Sequence, residues 1–239
     1  CQMSEKKFDI YFEFNYSGLN LAAFSKASGK LEYYKEQTYK SYLDNYKELN
    51  FEKLDKLLDA NILAIEKSTE EFVRDIYLIV ETSNSTSIKL SVTKNNEGKK
   101  IIKEDVMYLV QDAKQQLLKF NQDLRIIHTI IENYVLDNIQ YKFFPSEKKC
   151  NKFSIDILFI CFPKDFLKSF ERLFLNQQIY INQFVCLNYI KTFDFINKEQ
   201  NTCECAKDIV QGVNKQEVVS IPKESKKKGF FEKLFLFFK

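Results

Sequence analysis

The sequence predicts an α+β fold, and three observations carry that prediction. Short, aromatic-rich runs with period-two alternation sit among longer stretches whose apolar residues recur every three or four positions. The first three strand-like runs follow one another through turns too short to hold a helix. The later strands are separated by helical stretches, so the connections are mixed and neither an all-α nor an all-β architecture fits. With 239 residues and 45% hydrophobic content, the chain is long enough for one or two domains with cores of their own.

The elements follow in order. "KFDIYFEFN" alternates and reads as a strand, "YSG" as a turn, "LNLAAFSK" as a second strand, and "KLEYYKE" as a third after "ASG", which together make a β-meander. "NFEKLDKLLDANILAIEKSTEEF" places Phe51, Leu54, Leu57, Leu58, Ile62, Ile65 and Phe72 at helical spacing. "RDIYLIVE" and "STSIKLSVT" read as strands. "IIKEDVMYLVQDAKQQLLKF" carries Val106, Leu109, Val110, Ala113 and Leu117 on one stripe, a second helix near 103–118. Strands follow near 125–136 ("RIIHTIIENYVLD") and 153–162 ("FSIDILFICF"), with 138–152 read as a long loop. A third helix near 164–176 opens behind Pro163, and "IYINQFVCLNYI" returns as a strand or a strand plus helix.

Composition narrows the function classes. The net charge is +3, and residues 223–239 hold six lysines against two glutamates, so the rest of the chain is close to neutral. That distribution makes no case for nucleic acid as a partner. No run of eighteen apolar residues exists, so no helical membrane span is expected. Cys1 admits a mature lipoprotein, but without a visible lipobox a fragment or a start upstream of Met3 is the preferred reading. Cys161 and Cys186 lie in apolar runs as small core residues. "CEC" at 203–205 lacks a second ligand pair, so no metal is expected, and reduced thiols in a cytoplasmic protein fit the rest.

The chain ends "KKKGFFEKLFLFFK". On a helix, Phe230, Phe231, Leu234, Phe235, Phe237 and Phe238 share one broad face, with Glu232, Lys233 and Lys239 opposite. Residues 229–239 would extend about 16 Å, half of a ~30 Å hydrocarbon core, so they can lie in a membrane interface but not cross it. The alternative is a C-terminal helix docked on the protein's own core. The polar approach "NKQEVVSIPKESKKKG" favours the membrane, because it reads as a flexible tether carrying Lys226, Lys227 and Lys228 to an anionic surface.

The order of these pieces resembles the FtsA family of bacterial cell-division proteins, within the actin-like ATPase superfamily. The most specific stretch runs from Ile102 to Asn138. "IIKEDVMYLVQDA" supplies Ile102, Asp105, Val106 and Ala113 of that family's helix, and "RIIHTIIENYVLD" supplies Arg125, His128, Ile130, Tyr134 and Asp137 of its strand, with Ile131 in place of a proline. Flanking segments agree, so the resemblance covers most of residues 8–212 at low identity. It implies an actin-like partial first lobe, subdomain 1A, from 1–84 and 180–212. An SHS2 (1C-type) interaction module at 85–178 is inserted, followed by a tether at 213–228 and an amphipathic membrane-targeting helix at 229–239. The pilus-assembly ATPase PilM shares the implied fold but is not known for such a tail.

In that superfamily two hairpins beginning Asp-x-Gly grip nucleotide phosphates. The glycine lets backbone approach the phosphate, and the aspartate organises Mg²⁺ and water. Here the first aligns as "EFNYSG", with Glu13 for the aspartate, Asn15 for the glycine and Ser17 kept. The second reduces to "DIVQG", where Asp208 is in place but Val210 and Gln211 stand at glycine positions. The second lobe, which carries the adenosine pocket, has no counterpart after Gly212. The expectation is therefore eroded phosphate loops, no catalytic residue and no cofactor. His128 reads as a satisfied core or groove histidine, and Glu104 and Asp105 as complements to a helix N-terminus. The resemblance implies a non-catalytic adaptor on the cytoplasmic face of the bacterial inner membrane at the division septum. Its expected partners are divisome proteins, anionic lipids and further copies of itself. The tubulin-like FtsZ is the weakest of these expectations, since the family binds it mainly through the second lobe. The alternative is a nucleotide-binding actin-like ATPase of FtsA or PilM type, present as a fragment and using ATP.

Overall fold

The structure is a computed structural model describing residues 6–38, 51–193 and 200–218. In chain order its elements are β1 (Phe8–Phe14), β2 (Gly18–Ser25), β3 (Leu31–Thr38), α1 (Phe51–Thr69), β4 (Asp75–Val80), β5 (Thr86–Asn95) and α2 (Lys103–Phe120). They continue with β6 (Leu124–Leu136), β7 (Ile139–Tyr141), β8 (Lys152–Pro163), α3 (Lys164–Asn176), β9 (Tyr180–Cys186), α4 (Leu187–Ile190) and α5 (Thr202–Val210). The fold is α+β, and the chain divides into two units, Cys1–Ser83 with Asp165–Asp208, and Asn84–Lys164 with Ile209–Lys239.

The first unit is built on a mixed five-stranded sheet of order β3-β2-β1-β4-β9. The meander β1–β2–β3 is antiparallel, while β4 runs parallel to β1 and β9 parallel to β4. The parallel pairs require helical crossovers, and α1 and α3 supply them. Both faces of β1 are covered. Phe12 and Phe14 meet Phe174 and Phe170 of α3 at ring-centroid distances of 5.5 Å each. Tyr11 and Glu13 point the other way, toward α5, whose Thr202 donates to the Glu13 carboxylate. Burial on both sides explains why residues 10–14 are all buried instead of alternating.

α1 turns Leu54, Leu58, Ile62 and Ile65 into the core. Its buried Asn61 bridges to β3, accepting from Lys35 Nζ at 2.7 Å and donating to Gln37 Oε1 at 3.0 Å. Phe72, counted in the helical stripe on sequence, is 77% exposed because the helix stops at Thr69. There the Thr69 hydroxyl bonds back to the Ile65 carbonyl at 2.8 Å, and Glu70 adopts φ 54°, a left-handed helix end.

The second unit is an antiparallel sheet of order β5-β8-β6-β7. α2 lays Val106, Leu109, Val110, Ala113 and Leu117, each 0–2% exposed, on the sheet face formed by residues such as Ile131, Tyr134, Phe153, Ile155, Ile157 and Phe159. At the start of α2 the Asp105 carboxylate accepts the Ile102 N–H at 2.9 Å, so this acid does serve the helix N-terminus.

Three expectations need correction. The third helix, expected in the 85–178 segment's module, belongs to the first unit, since Phe170 and Phe174 lie on β1 and Asp165 onward clusters with that unit. Residues 138–152 are not all loop. Asp137 and Asn138 take φ 46° and 73°, the paired positive values of a tight hairpin turn, and this turn adds β7 to β6. The stretch 213–228 is not tether from its first residue, because 216–218 lie along β6, with Ile130 and Glu217 in an antiparallel bridge. The predicted amphipathic helix at 229–239 lies outside the described residues. Among those described, no helix is long and apolar enough to cross a membrane.

Candidate functional site

The three residues singled out in the first hairpin, Glu13, Asn15 and Ser17, are brought together. Asn15 holds the turn. Its Oδ1 accepts from the Ser17 N–H at 2.9 Å, the Ser17 hydroxyl at 2.9 Å and the Gly18 N–H at 2.7 Å. Its own N–H donates to the Gly18 carbonyl at 3.0 Å. The Tyr16 N–H donates to Oε2 of Glu81 at 2.8 Å, just beyond β4. Every backbone donor from 15 to 18 is therefore engaged inside the protein.

Glu13 lies beneath this turn and is 1% exposed. Its carboxylate accepts from Asn15 Nδ2 at 2.7 Å, from Asn20 Nδ2 at 3.2 Å on the neighbouring strand, and from the Thr202 hydroxyl. Such an acid is a structural hub, tying β1, β2 and the first turn of α5 together through charge-assisted bonds. Asn20, Glu81 and Thr202 were not singled out on sequence. Only the register Glu13↔Asn20 of an antiparallel β1–β2 pair could have pointed to Asn20.

The second hairpin does not form. Residues 208–210 are the last turn of α5, and Gly212 turns the chain at φ 78° with its N–H on the Ile209 carbonyl at 3.0 Å. "CECAKDIV" has the spacing of a short helix whose Cys203, Ala206 and Ile209 are buried, and that packing overrides the hairpin reading. Asp208 accepts from Gln200 at 3.4 Å. It does not join Glu13, Asn15 and Ser17.

Among the described residues every cysteine is free and buried. Cys203 is pushed well above its ordinary pKa by burial first and then by the Glu13 carboxylate. Burial likewise raises Cys161 and Cys205 to about 11. A thiol that keeps its proton near neutrality is a weak nucleophile and a weak ligand. Among the described residues no group of three or more His, Cys, Asp or Glu side chains could hold a metal ion. Tyr11 is raised by burial and then by Tyr77, with which it stacks at 4.7 Å.

His128 is 1% exposed and belongs to the second unit, where its Nδ1 lies 2.6 Å from Oε1 of Glu217. It is a satisfied buried histidine, with a carboxylate partner that the sequence placed in the tether. Lys226, Lys227, Lys228, Phe230, Phe231, Leu234, Phe235, Phe237 and Phe238 all lie outside the described residues.

No protein-family model matches the chain, and no curated protein matches it. Among solved structures it is similar to the PilM–PilN type IV pilus biogenesis complex, with TM-score 0.46 and 10% identity over 76% of this chain and 48% of that one. It is also similar to the cytoplasmic domain of EpsL, an inner membrane component of the type II secretion system of Vibrio cholerae. The TM-score there is 0.34 and the identity 9%, over 77% of this chain and 57% of that one. A third is a protein of Bacteroides thetaiotaomicron with actin-like ATPase fold and unknown function, at TM-score 0.34 and 12% identity, over 82% and 59% of the two chains. The chain spans about half the length of the first of these. At these identities and TM-scores the likenesses assign neither family nor function.

Proposed function

We propose that this chain is a non-catalytic adaptor of FtsA-like build. In this reading the first unit is an actin-like partial lobe and the second an SHS2 (1C-type) module that meets partner proteins of the division machinery. The C-terminal segment holds both at the cytoplasmic face of the bacterial inner membrane.

One observation supports the non-catalytic part. Every backbone donor from 15 to 18 is engaged by protein oxygens, and the Asn15 carboxamide accepts from Ser17 and Gly18, the donors a phosphate oxygen would need. A nucleotide would have to displace those three bonds and approach Glu13, a buried carboxylate that repels an anion. The residues present therefore do not fit a nucleotide phosphate. The adaptor reading is further supported by the way β5 to β8 and α2 interrupt the first unit between β4 and α3, as an inserted module would.

Calorimetry with Mg-ATP tests the first part. The expected result is no binding tighter than about millimolar, or about −4 kcal/mol. Micromolar affinity, or turnover that disappears in Glu13→Ala, would make the chain a nucleotide-binding ATPase instead. A fluorescent fusion of the full chain tests the second part. It is expected to collect at the septum of dividing cells, and an even distribution around the cell membrane would remove the division assignment while leaving the membrane reading intact.

A further inference from the structure

A linker composed as "NKQEVVS" gives no reason to pack, yet residues 214–218 are ordered against the outer edge of β6. The Ile131 N–H donates to the Gln216 carbonyl at 2.8 Å, and the Val218 N–H donates to the Thr129 carbonyl at 2.8 Å. These are the two main-chain bonds of an added antiparallel strand. The Gln216 side chain reaches past them to the carbonyls of Ile131 at 3.2 Å and Glu132 at 3.4 Å. A local turn shapes the approach, with the Glu217 N–H on the Asn214 carbonyl at 3.0 Å and the Gln216 N–H on Asn214 Oδ1 at 3.1 Å.

Between the two main-chain bonds Glu217 sends its carboxylate inward to His128. The two side chains are 3% and 0% exposed, and they meet at 2.6 Å. β6 pairs with β8 through register shifts at Ile126/His128 and at Ile131/Asn133, so residues 128–131 form a short straight stretch between two irregularities. Bulges of this kind re-aim side chains. Here the stretch offers an open edge for a strand together with one buried imidazole for a carboxylate.

We infer that this edge of β6 is a strand-acceptor site for an extended peptide with a carboxylate at its central residue, and that its resident ligand is the chain's own 216–218. Main-chain bonds supply affinity, and the pocket for one alternate side chain supplies selectivity, as in other strand additions. The site also acts as a latch on the C-terminus. With it closed, only residues 219–228 lie between Val218 and the Phe-rich segment, a reach of at most about 35 Å, whereas release from Val213 onward raises the limit to about 56 Å. This last consequence rests on the membrane reading above, while the acceptor site itself does not.

The test is amide hydrogen exchange on the full chain, with no membrane present. Ile131 and Val218 N–H are expected to be protected in the unmodified protein. Glu217→Ala should speed exchange at Ile131 by about 100-fold, the consequence of stranding one member of a buried pair. Because that change could loosen the whole unit, Val218→Pro provides the decisive variant, removing one donor from the added strand without altering β6. It should open Ile131 while the β6–β8 amides stay protected. A synthetic NKQEVVS peptide added to the Val218→Pro chain should restore protection at Ile131, and the same peptide with alanine for glutamate should not. Unchanged exchange at Ile131 in Val218→Pro, or equal rescue by both peptides, would overturn the acceptor site. Protection that rises with protein concentration would overturn its occupation by the chain's own segment. A failure of vesicle binding would remove the consequence for membrane reach and leave the acceptor site standing.

Discussion

Gly18→Ala should lower the stability of the first unit by several kcal/mol, more than a methyl group costs at most surface positions. Gly18 opens β2 opposite Thr38 of β3. A Cβ built there would stand 2.2 Å from the Gln37 carbonyl oxygen and 3.0 Å from its carbonyl carbon. Both obstacles are backbone, so relief requires moving β3 away from β2 rather than turning a side chain. That movement would also disturb the Gly18 N–H donation to Asn15, which closes the hairpin over Glu13. Gly29→Ala is the matched control. Gly29 has φ 69° and nothing within 4 Å of an added Cβ. It therefore bears only the left-handed backbone cost of roughly 1–2 kcal/mol. Urea unfolding of both variants separates the two causes. Equal midpoint shifts would mean that close packing against β3 contributes nothing.

That contrast bears on what could be read from the residues alone. Helices α1 and α2 were legible because burial on one face leaves a repeating stripe, and Val106, Leu109, Ala113 and Leu117 are where the stripe puts them. The meander was legible because its strands are joined by "YSG" and "ASG". Which sheet a stripe covers was not legible. Leu167, Phe170, Leu173 and Phe174 announce an amphipathic helix, but only tertiary contact shows that Phe170 and Phe174 belong to β1. Short pieces escape for a different reason. Three residues, as in β7 or 216–218, are too few to display a period. Glu217 sits in a polar stretch and finds His128 across 89 positions, so nothing local marks it.

The candidate site divides along the same line. Glu13, Asn15 and Ser17 were singled out together by the resemblance, and they do meet in one turn. What decides its chemistry is a set of bonds that no linear pattern reveals. Asn15 can fold its carboxamide back over the following N–H groups, a habit of asparagine at turns, and glycine at that position could not. The Asn15 carboxamide thus closes this turn on itself. Asp208, by contrast, was misplaced because five residues fit a hairpin motif as easily as the last turn of a helix whose buried face, Cys203, Ala206 and Ile209, extends outside the motif.

Phe235→Glu should abolish co-sedimentation of the full chain with anionic vesicles. The expectation follows from the chemistry of residues 229–239, in which five phenylalanines and two leucines accompany only three charged side chains. Arranged as a helix, Phe235 falls in the middle of the apolar face, flanked one turn away by Phe231 and Phe238. A carboxylate there must either enter the acyl region or tilt the face out of it, and both outcomes remove the insertion energy. The lysines act differently. Converting Lys226, Lys227 and Lys228 together to Gln should weaken binding by up to about 3 kcal/mol, at ~1 kcal/mol for each charge near an anionic surface. Added salt should reproduce part of that loss in the unmodified chain but should not mimic Phe235→Glu, because screening acts on charge and leaves apolar burial in place. A short helix of this kind binds reversibly, so self-association of the chain should strengthen retention by avidity. The comparison that decides is between the full chain and one ending at Ser225. If both pellet equally, or if neither does, the phenylalanines belong to the protein's own core and the membrane reading falls.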